Sequence, residues 1–351
     1  MIFNLRKKVV FIQHRMGDGG ITYSLSSLLH FLSGRWFLEI FLVLRFRDDN
    51  PRMDLIPKGV KQVWLDECQQ SFFSQHFDAA IAYMPEMADV LDQFINSRKK
   101  FVWVHGDYSK FDASIQAAVV ESINKADCII TPSRKASQVI GDLVPQYKEF
   151  IHTIPHTMRD DLIRKQALES IDDWPDTSLP TIVTVGKLFY NAKGLDRMIR
   201  VHRKLLDQDI HFQWVVVGDG PDRIWIEQMI DEYNLKQHFK LLGFRKNPYP
   251  YFLKADIFAI LSYHEGYCLA LGEAKILQKP IICTDFAGAA DQIEHLNNGM
   301  IVENSDAGIE QGLTELLKNH DRRTLFVQNL AGYRYPNTII LKRLTRLFLE
   351  K

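Results

Sequence analysis

A chain of 351 residues exceeds the size at which a single hydrophobic core keeps growing, so two domains are expected. Apolar residues make up 46% and charged residues 25%, with 43 basic against 43 acidic side chains; this excludes a disordered chain and argues against a nucleic-acid partner. Cys68, Cys128, Cys268 and Cys283 are widely spaced with no CxxC pair, which excludes a zinc ribbon and argues against a disulfide scaffold.

The apolar run Val9–Ile12, after Arg6, Lys7 and Lys8, is too short for a signal-peptide core. No segment approaches the roughly 20 apolar residues of a membrane span. Short apolar runs then alternate with longer amphipathic ones, the pattern of βαβ units and a parallel sheet. The first half predicts strands at Val9–Gln13, Leu38–Leu44, Val60–Leu65, Ala79–Tyr83, Phe101–His105, Cys128–Thr131 and Ile151–Ile154. Helices are predicted at Ile21–Leu32, Ile115–Asn124 and Arg134–Asp142. The polar stretch Ser170–Pro180, with two prolines, reads as a linker. Strands resume at Thr181–Val185, Phe212–Val217, Phe239–Leu242, Ile257–Leu261, Pro280–Cys283 and Met300–Val302, with helices at Leu195–Leu206, Arg223–Tyr233, Tyr267–Leu277, Ile309–Leu317 and Ile339–Leu349. The fold expected is α/β: two Rossmann-like, doubly wound domains, with ligands at the carboxyl ends of the strands.

The strongest chemical signal is Glu265-Gly266-Tyr267-Cys268-Leu269-Ala270-Leu271-Gly272-Glu273, between a strand and a helix. Glycine admits close backbone approach, and the first N–H groups of a helix form an anion site. Read along one helix, the two glutamates stand about 12 Å apart. That is too far for the carboxylate pair of a glycosidase, roughly 5 to 10 Å, but suits the two ends of an extended ligand such as a nucleotide sugar. Taken alone, the pair is equally consistent with a solvated glutamate beside a helix start. Gly186-Lys187-Leu188 and Lys193-Gly194 follow the strand Thr181–Val185, so two cations stand where a departing diphosphate would be neutralised. Gly218-Asp219-Gly220-Pro221 is a tight turn after the next strand; Arg223 replaces the third glycine of a dinucleotide fingerprint. Gly243-Phe244-Arg245 is a comparable loop within reach of a nucleobase.

In the first half, Gly17-Asp18-Gly19-Gly20 joins the first strand to its helix and can bring backbone N–H groups to a phosphate, but it lacks the Lys-Ser/Thr of a P-loop. His105-Gly106-Asp107-Tyr108 ends another strand, where His105 can bond a sugar hydroxyl or polarise a reacting centre. No metal is expected, and the pair Asp48-Asp49 is not read as a ligand set.

Together these elements resemble retaining glycosyltransferases of family 4, which have the GT-B fold. GKLFYNAKGLDRMI resembles the family's G-R-L…K-G motif, VVVGDGPDR its G-x-G-P turn, and the run from Asn247 to Gly288 its donor-site block with the E-x7-E motif. GDGGITYSLSSLL, FDAAIAYM and FVWVHGDY resemble the subset that builds bacterial capsular polysaccharides and exopolysaccharides. The resemblance implies an acceptor domain over residues 1–157, a nucleotide-sugar domain over 178–334, and a final segment, 335–351, whose helix returns to the first domain, with an interdomain cleft. It implies that Glu273 binds the ribose, that Glu265 contacts donor-sugar hydroxyls, and that backbone N–H groups of Gly266, Tyr267, Cys268 and Leu269 hold sugar and diphosphate. Lys187 and Lys193 neutralise the diphosphate. His105 contacts the donor sugar, and Gly19 and Gly20 approach the phosphates. Gly186, Gly218, Gly243, Phe244 and Arg245 complete the expected donor site, and Asp107 is an expected acceptor contact.

Two departures stand out: the arginine of G-R-L is Lys187, which loses a bidentate fork, and the proline common after E-G-aromatic is Cys268. The expected activity is retaining transfer from a nucleotide-diphosphate sugar, a UDP-sugar, to a saccharide or lipid-linked saccharide, with no cofactor. The expected setting is the cytoplasm, with peripheral contact at the inner face of the plasma membrane through a basic cluster such as Arg98-Lys99-Lys100. The alternatives are a non-catalytic partner subunit and another GT-B enzyme such as a sugar-nucleotide epimerase.

Overall fold

The computed structural model describes residues 6–47, 50–68, 70–175 and 178–350; the Asp48-Asp49 pair lies outside them. Among the described residues the chain forms thirteen strands in two sheets. The first sheet contains β1 (Lys7–Gln13), β2 (Leu38–Leu44), β3 (Val60–Trp64), β4 (Ala79–Ala82), β5 (Lys100–Trp103), β6 (Cys128–Thr131) and β7 (Ile151–Thr153), in the order β3-β2-β1-β4-β5-β6-β7. The second contains β8 (Thr181–Val185), β9 (Gln213–Val217), β10 (Phe239–Gly243), β11 (Ile257–Ile260), β12 (Ile281–Thr284) and β13 (Met300–Val302), in the order β10-β9-β8-β11-β12-β13. Neighbouring strands are parallel throughout.

The cause is visible in the strand sequences. Runs such as VVFI, IFLVL, QWVVV and IFAI are apolar on both faces, as a sheet covered by helices on both sides requires. Parallel pairing forces a crossover after each strand, and the amphipathic segments supply it. In each sheet the strand order reverses once, between β1 and β4 and between β8 and β11. Those two reversals leave crevices at the carboxyl ends of the strands, the usual place for a ligand in a doubly wound sheet.

The chain divides into two compact units, one of Met1–Met158 with Pro336–Lys351 and one of Arg159–Tyr335. The core of the first gathers residues such as Val10, Ile12, Phe77 and Val102; that of the second gathers Phe212, Trp214, Phe239 and Phe326. The C-terminal helix, Asn337–Leu349, packs on the first unit as expected. Phe348 is buried edge-on against Phe11 and Phe101, at ring separations of 6.2 and 5.2 Å. A fully buried side chain of that size contributes about 2–3 kcal/mol. Arg98 donates to the carbonyls of Phe348 and Glu350 at 3.0 and 3.1 Å, a cation placed on the orphan acceptors of a helix end. Of the basic cluster, Lys100 pairs with Asp92 at 3.0 Å and Lys99 lies over the Phe101 ring. No helix among the described residues is long and apolar enough to cross a membrane.

The polar stretch Ser170–Pro180 is fastened to the second unit. Asp173 pairs with Arg245 at 2.5 Å and accepts from the Tyr251 hydroxyl at 2.6 Å.

Candidate functional site

The reversal of the second sheet collects the charged residues. Lys193 lies on the turn after β8 and Glu265 on the loop after β11, 72 positions apart in the chain, and Lys193 Nζ stands 2.5 Å from Glu265 Oε1. Ser262 donates to the same carboxylate oxygen at 2.8 Å. Burial works against the Lys193 charge, but the Glu265 carboxylate and its hydrogen bond outweigh it, and the ammonium is held more firmly than a free lysine. Gly194, directly after, takes a positive φ of +67°, and a Cβ there would stand 2.2 Å from the Leu261 carbonyl oxygen. Only glycine lets the two strand-end loops approach this closely. Lys187, at the end of β8, is exposed, with no ion-pair partner among the described residues.

The two glutamates do not share a helix. The helix runs Leu269–Ile276 rather than from Tyr267, because Cys268 before it adopts φ +66°, ψ 91°. Glu265 therefore sits on a loop, and the 12 Å estimate for helical spacing does not apply to the pair. A φ of +66° is closed to proline, so a proline at this point would need a different turn. Tyr267 is buried and its hydroxyl meets that of Tyr335 at 2.8 Å. Glu273 accepts from the Tyr249 hydroxyl at 3.2 Å, and burial raises its carboxyl to about 7.

The loops after β8, β9 and β10 are knitted by their backbones. Gly218 N–H donates to Gly243 O at 2.9 Å, Gly186 N–H to Val217 O at 3.1 Å, and Leu188 N–H to Asp219 O at 3.1 Å. A Cβ on Gly218 would stand 1.8 Å from the Gly186 carbonyl oxygen, so this glycine is explained by loop packing alone. Gly186 lies against the Lys193 stem. Phe244 is 50% exposed, whereas Arg245 is engaged by Asp173 and Tyr251.

The reversal of the first sheet centres on an uncharged histidine. His105 Nε2 lies 2.6 Å from the carbonyl oxygen of Tyr83, just past β4, which fixes that nitrogen as the donor. Burial holds the ring neutral, with a pKa lowered to about 4, and leaves Nδ1 without a hydrogen-bond partner among the described residues. The ring stacks on Trp103 and His156. The Tyr83 hydroxyl meets Ser24 Oγ at 2.8 Å, tying the helix after β1 to β4. That helix, Gly20–Ser33, starts after Gly19, whose backbone is extended and where a Cβ would meet nothing within 4 Å. Arg52, 7% exposed, bonds Asp18, Asp54 and Tyr23 and so braces the Gly17–Gly20 loop. Asp107, 3% exposed, accepts from Ser109 N–H and Oγ and caps a short turn.

Residues 171–331, most of the second unit, match the family of group 1 glycosyl transferases. Two curated relatives are each 30% identical: the 2-deoxystreptamine N-acetyl-D-glucosaminyltransferase of Niallia circulans over 173 residues, and the N-acetylgalactosamine-N,N'-diacetylbacillosaminyl-diphospho-undecaprenol 4-alpha-N-acetylgalactosaminyltransferase of Campylobacter jejuni over 147. The alignments take in 46% and 41% of this chain and 44% and 39% of those proteins, so the chain spans less than half the length of either. Among solved structures, Anabaena HepE in complex with UDP and glucose is similar over 99% of this chain and 100% of its own, with TM-score 0.81 and 17% identity. That likeness is one of fold: two Rossmann-like units, the GT-B type.

Sequence reasoning missed several supports of the site. Ser262 is signalled only by its place three residues before Glu265. Tyr249 falls in the Asn247–Gly288 block but nothing there marks it as a partner of Glu273, and Arg52 carries no motif at all; their roles arise from chain segments folded together.

Proposed function

We propose that this chain is a retaining glycosyltransferase that moves a sugar from a UDP-sugar to a hydroxyl of a saccharide or lipid-linked saccharide in surface polysaccharide synthesis. The observation that carries the reading is the Lys193–Glu265 pair at the reversal of the second sheet, within the segment that matches the group 1 family. Lys193 keeps further N–H donors for a diphosphate beyond the one given to Glu265, and exposed Lys187 adds a second cation. Glu273 receives ribose hydroxyls, and Glu265 receives hydroxyls of the donor sugar. The loop Gly266–Leu269 supplies backbone N–H groups to the phosphates. For the first unit the motif resemblance supports a sugar-hydroxyl contact for His105 and a phosphate contact for Gly19 and Gly20. Lipid-linked acceptors would bring the chain to a membrane surface.

Retention follows from front-face attack. The acceptor oxygen bonds to the anomeric carbon as its bond to the diphosphate breaks, and the hydroxyl proton passes to a departing phosphate oxygen. Glu265 is ion-paired and burial raises the Cys268 thiol, so neither is a ready nucleophile for a covalent route. The developing negative charge on the leaving diphosphate is stabilised by fixed cations and N–H groups.

Incubation with a UDP-sugar labelled at the anomeric carbon, together with a panel of saccharide acceptors, tests this by NMR of the product. Transfer with the donor's anomeric configuration is expected. An inverted product contradicts the mechanism, an epimerised donor indicates an epimerase, and donor binding without turnover on any acceptor indicates a non-catalytic partner subunit.

A further inference from the structure

The turn that would cradle the diphosphate is held from behind by one side chain outside every motif. Gln292 is the last residue of the short helix Ala289–Gln292 and is 6% exposed. Its Nε2 donates to the carbonyls of Tyr267 and Cys268, the latter at 3.3 Å, and reaches Gly288 O at 3.4 Å. Lys275, itself 8% exposed and on the helix Leu269–Ile276, donates to the backbone carbonyl of Gln292 while its Nζ lies 4.6 Å from the centre of the Tyr333 ring. The clamp acts on the strained residue: Cys268 is a non-glycine at φ +66°.

A trans peptide points its N–H opposite to its C=O. When Gln292 takes the carbonyls of Tyr267 and Cys268, the N–H groups of Cys268 and Leu269, in those same peptides, are turned the other way. These are two of the N–H groups the donor reading assigns to the diphosphate. We propose that Gln292 is a positioning residue that aims the Cys268 and Leu269 N–H groups at the donor diphosphate by anchoring the opposite ends of their peptides. This rests on the glycosyltransferase reading above. A glutamine suits the task because its neutral amide donates to carbonyls; a carboxylate of the same shape only accepts, and would repel them.

The test compares UDP with uridine, which lacks the phosphates. In the unaltered chain labelled with 15N-cysteine there are four cysteine amides, and the Cys268 signal is identified by its loss in Cys268→Ser. UDP is expected to move that signal downfield, whereas uridine is not. In Gln292→Met, which keeps the length of the side chain but not its donors, UDP affinity should fall tenfold or more with uridine affinity unchanged. A Cys268 amide that responds equally to UDP and uridine, or a folded Gln292→Met chain that binds UDP as the unaltered chain does, overturns the assignment. If Gln292→Met does not fold, Gln292→Glu takes its place: the same loss of UDP affinity with uridine unchanged is expected, and UDP binding equal to that of the unaltered chain overturns the assignment. Absence of UDP binding by the unaltered chain overturns both this assignment and the functional reading, so the two failures are distinguishable.

Discussion

The two sheet reversals have the same topology and opposite chemistry. In the second unit the crevice holds two lysines, two glutamates and a strained turn; Lys193 is paired with Glu265, Glu273 accepts from a tyrosine hydroxyl, and Lys187 is exposed. In the first it holds a neutral histidine, a tyrosine hydroxyl and an uncapped helix start, and a buried cation, Arg52, stands behind the loop on Asp18 and Asp54. On the function proposed above, the difference leads us to expect that the fixed charges of the second unit dominate the hold on a diphosphate, and that His105 of the first contributes as a neutral group.

The sharpest way to break that division is to remove the Lys193 ammonium. Lys193→Ala should reduce kcat on the order of 10²–10³-fold in steady-state transfer assays, the usual loss for one preorganised donor at a developing anion. An effect of a few-fold would end the assignment. His105→Ala should cost less, on the order of tenfold. Because burial keeps His105 neutral with a pKa of about 4, its contribution should be flat in kcat from pH 6 to 9. A titration of kcat near pH 6.5 that vanishes in His105→Ala would give the first unit a charged role and blur the comparison.

Glu273 provides a pH signature for the second unit. Its carboxyl is raised to about 7 by burial, so below that pH the ligand-free protein holds it protonated. Ribose hydroxyls need the carboxylate as acceptor, so binding favours the ionised form and releases a proton. Donor affinity should therefore rise roughly tenfold from pH 6 to pH 8 and level off above. Calorimetry in buffers of different ionisation enthalpy checks the proton release, and Glu273→Gln should abolish both the release and the slope.

Much of the fold was legible because its signals are local. A strand buried on both faces must be an apolar run, and most of the thirteen are such runs; the edge strands Val60–Trp64 and Ile151–Thr153 are partly exposed, yet all were placed within a residue or two. The short helices Asp160–Gln166 and Tyr249–Lys254 went unread because seven and six residues are too few to show a helical period. The site was legible only as a set of candidates. Nothing in the sequence shows that Lys193 reaches Glu265 across 72 positions, and the positive φ at Cys268 is invisible because cysteine does not announce it. The helix start was consequently placed two residues early, and two glutamates on different elements were read as one helical pair.

The smaller expected effects concern stability. Cys268→Gly should relieve a left-handed backbone and raise the thermal midpoint by about 3 °C, for a gain of about 1 kcal/mol. Cys268→Pro should lower the thermal midpoint instead, because a φ of +66° is out of reach of proline. In the second core His202 stacks on Phe212 at 4.0 Å, and burial, reinforced by His238, lowers its pKa to about 3. The unfolded chain takes up a proton below pH 6.5 and the folded chain does not until near 3, so stability is lost as pH falls through that window. The loss from this residue is about 2 kcal/mol at pH 5, and denaturant titrations of His202→Leu should show a shallower acid slope.

The central claim is that cations at the tips of the second sheet hold a diphosphate. Calorimetric titration of UDP and uridine into the unaltered chain and Lys193→Ala measures it most directly. UDP is expected to bind the unaltered chain at least tenfold more tightly than uridine, and this gap is expected to close in Lys193→Ala. Equal affinity for the two ligands in the unaltered chain, or a gap that survives the substitution, would contradict it.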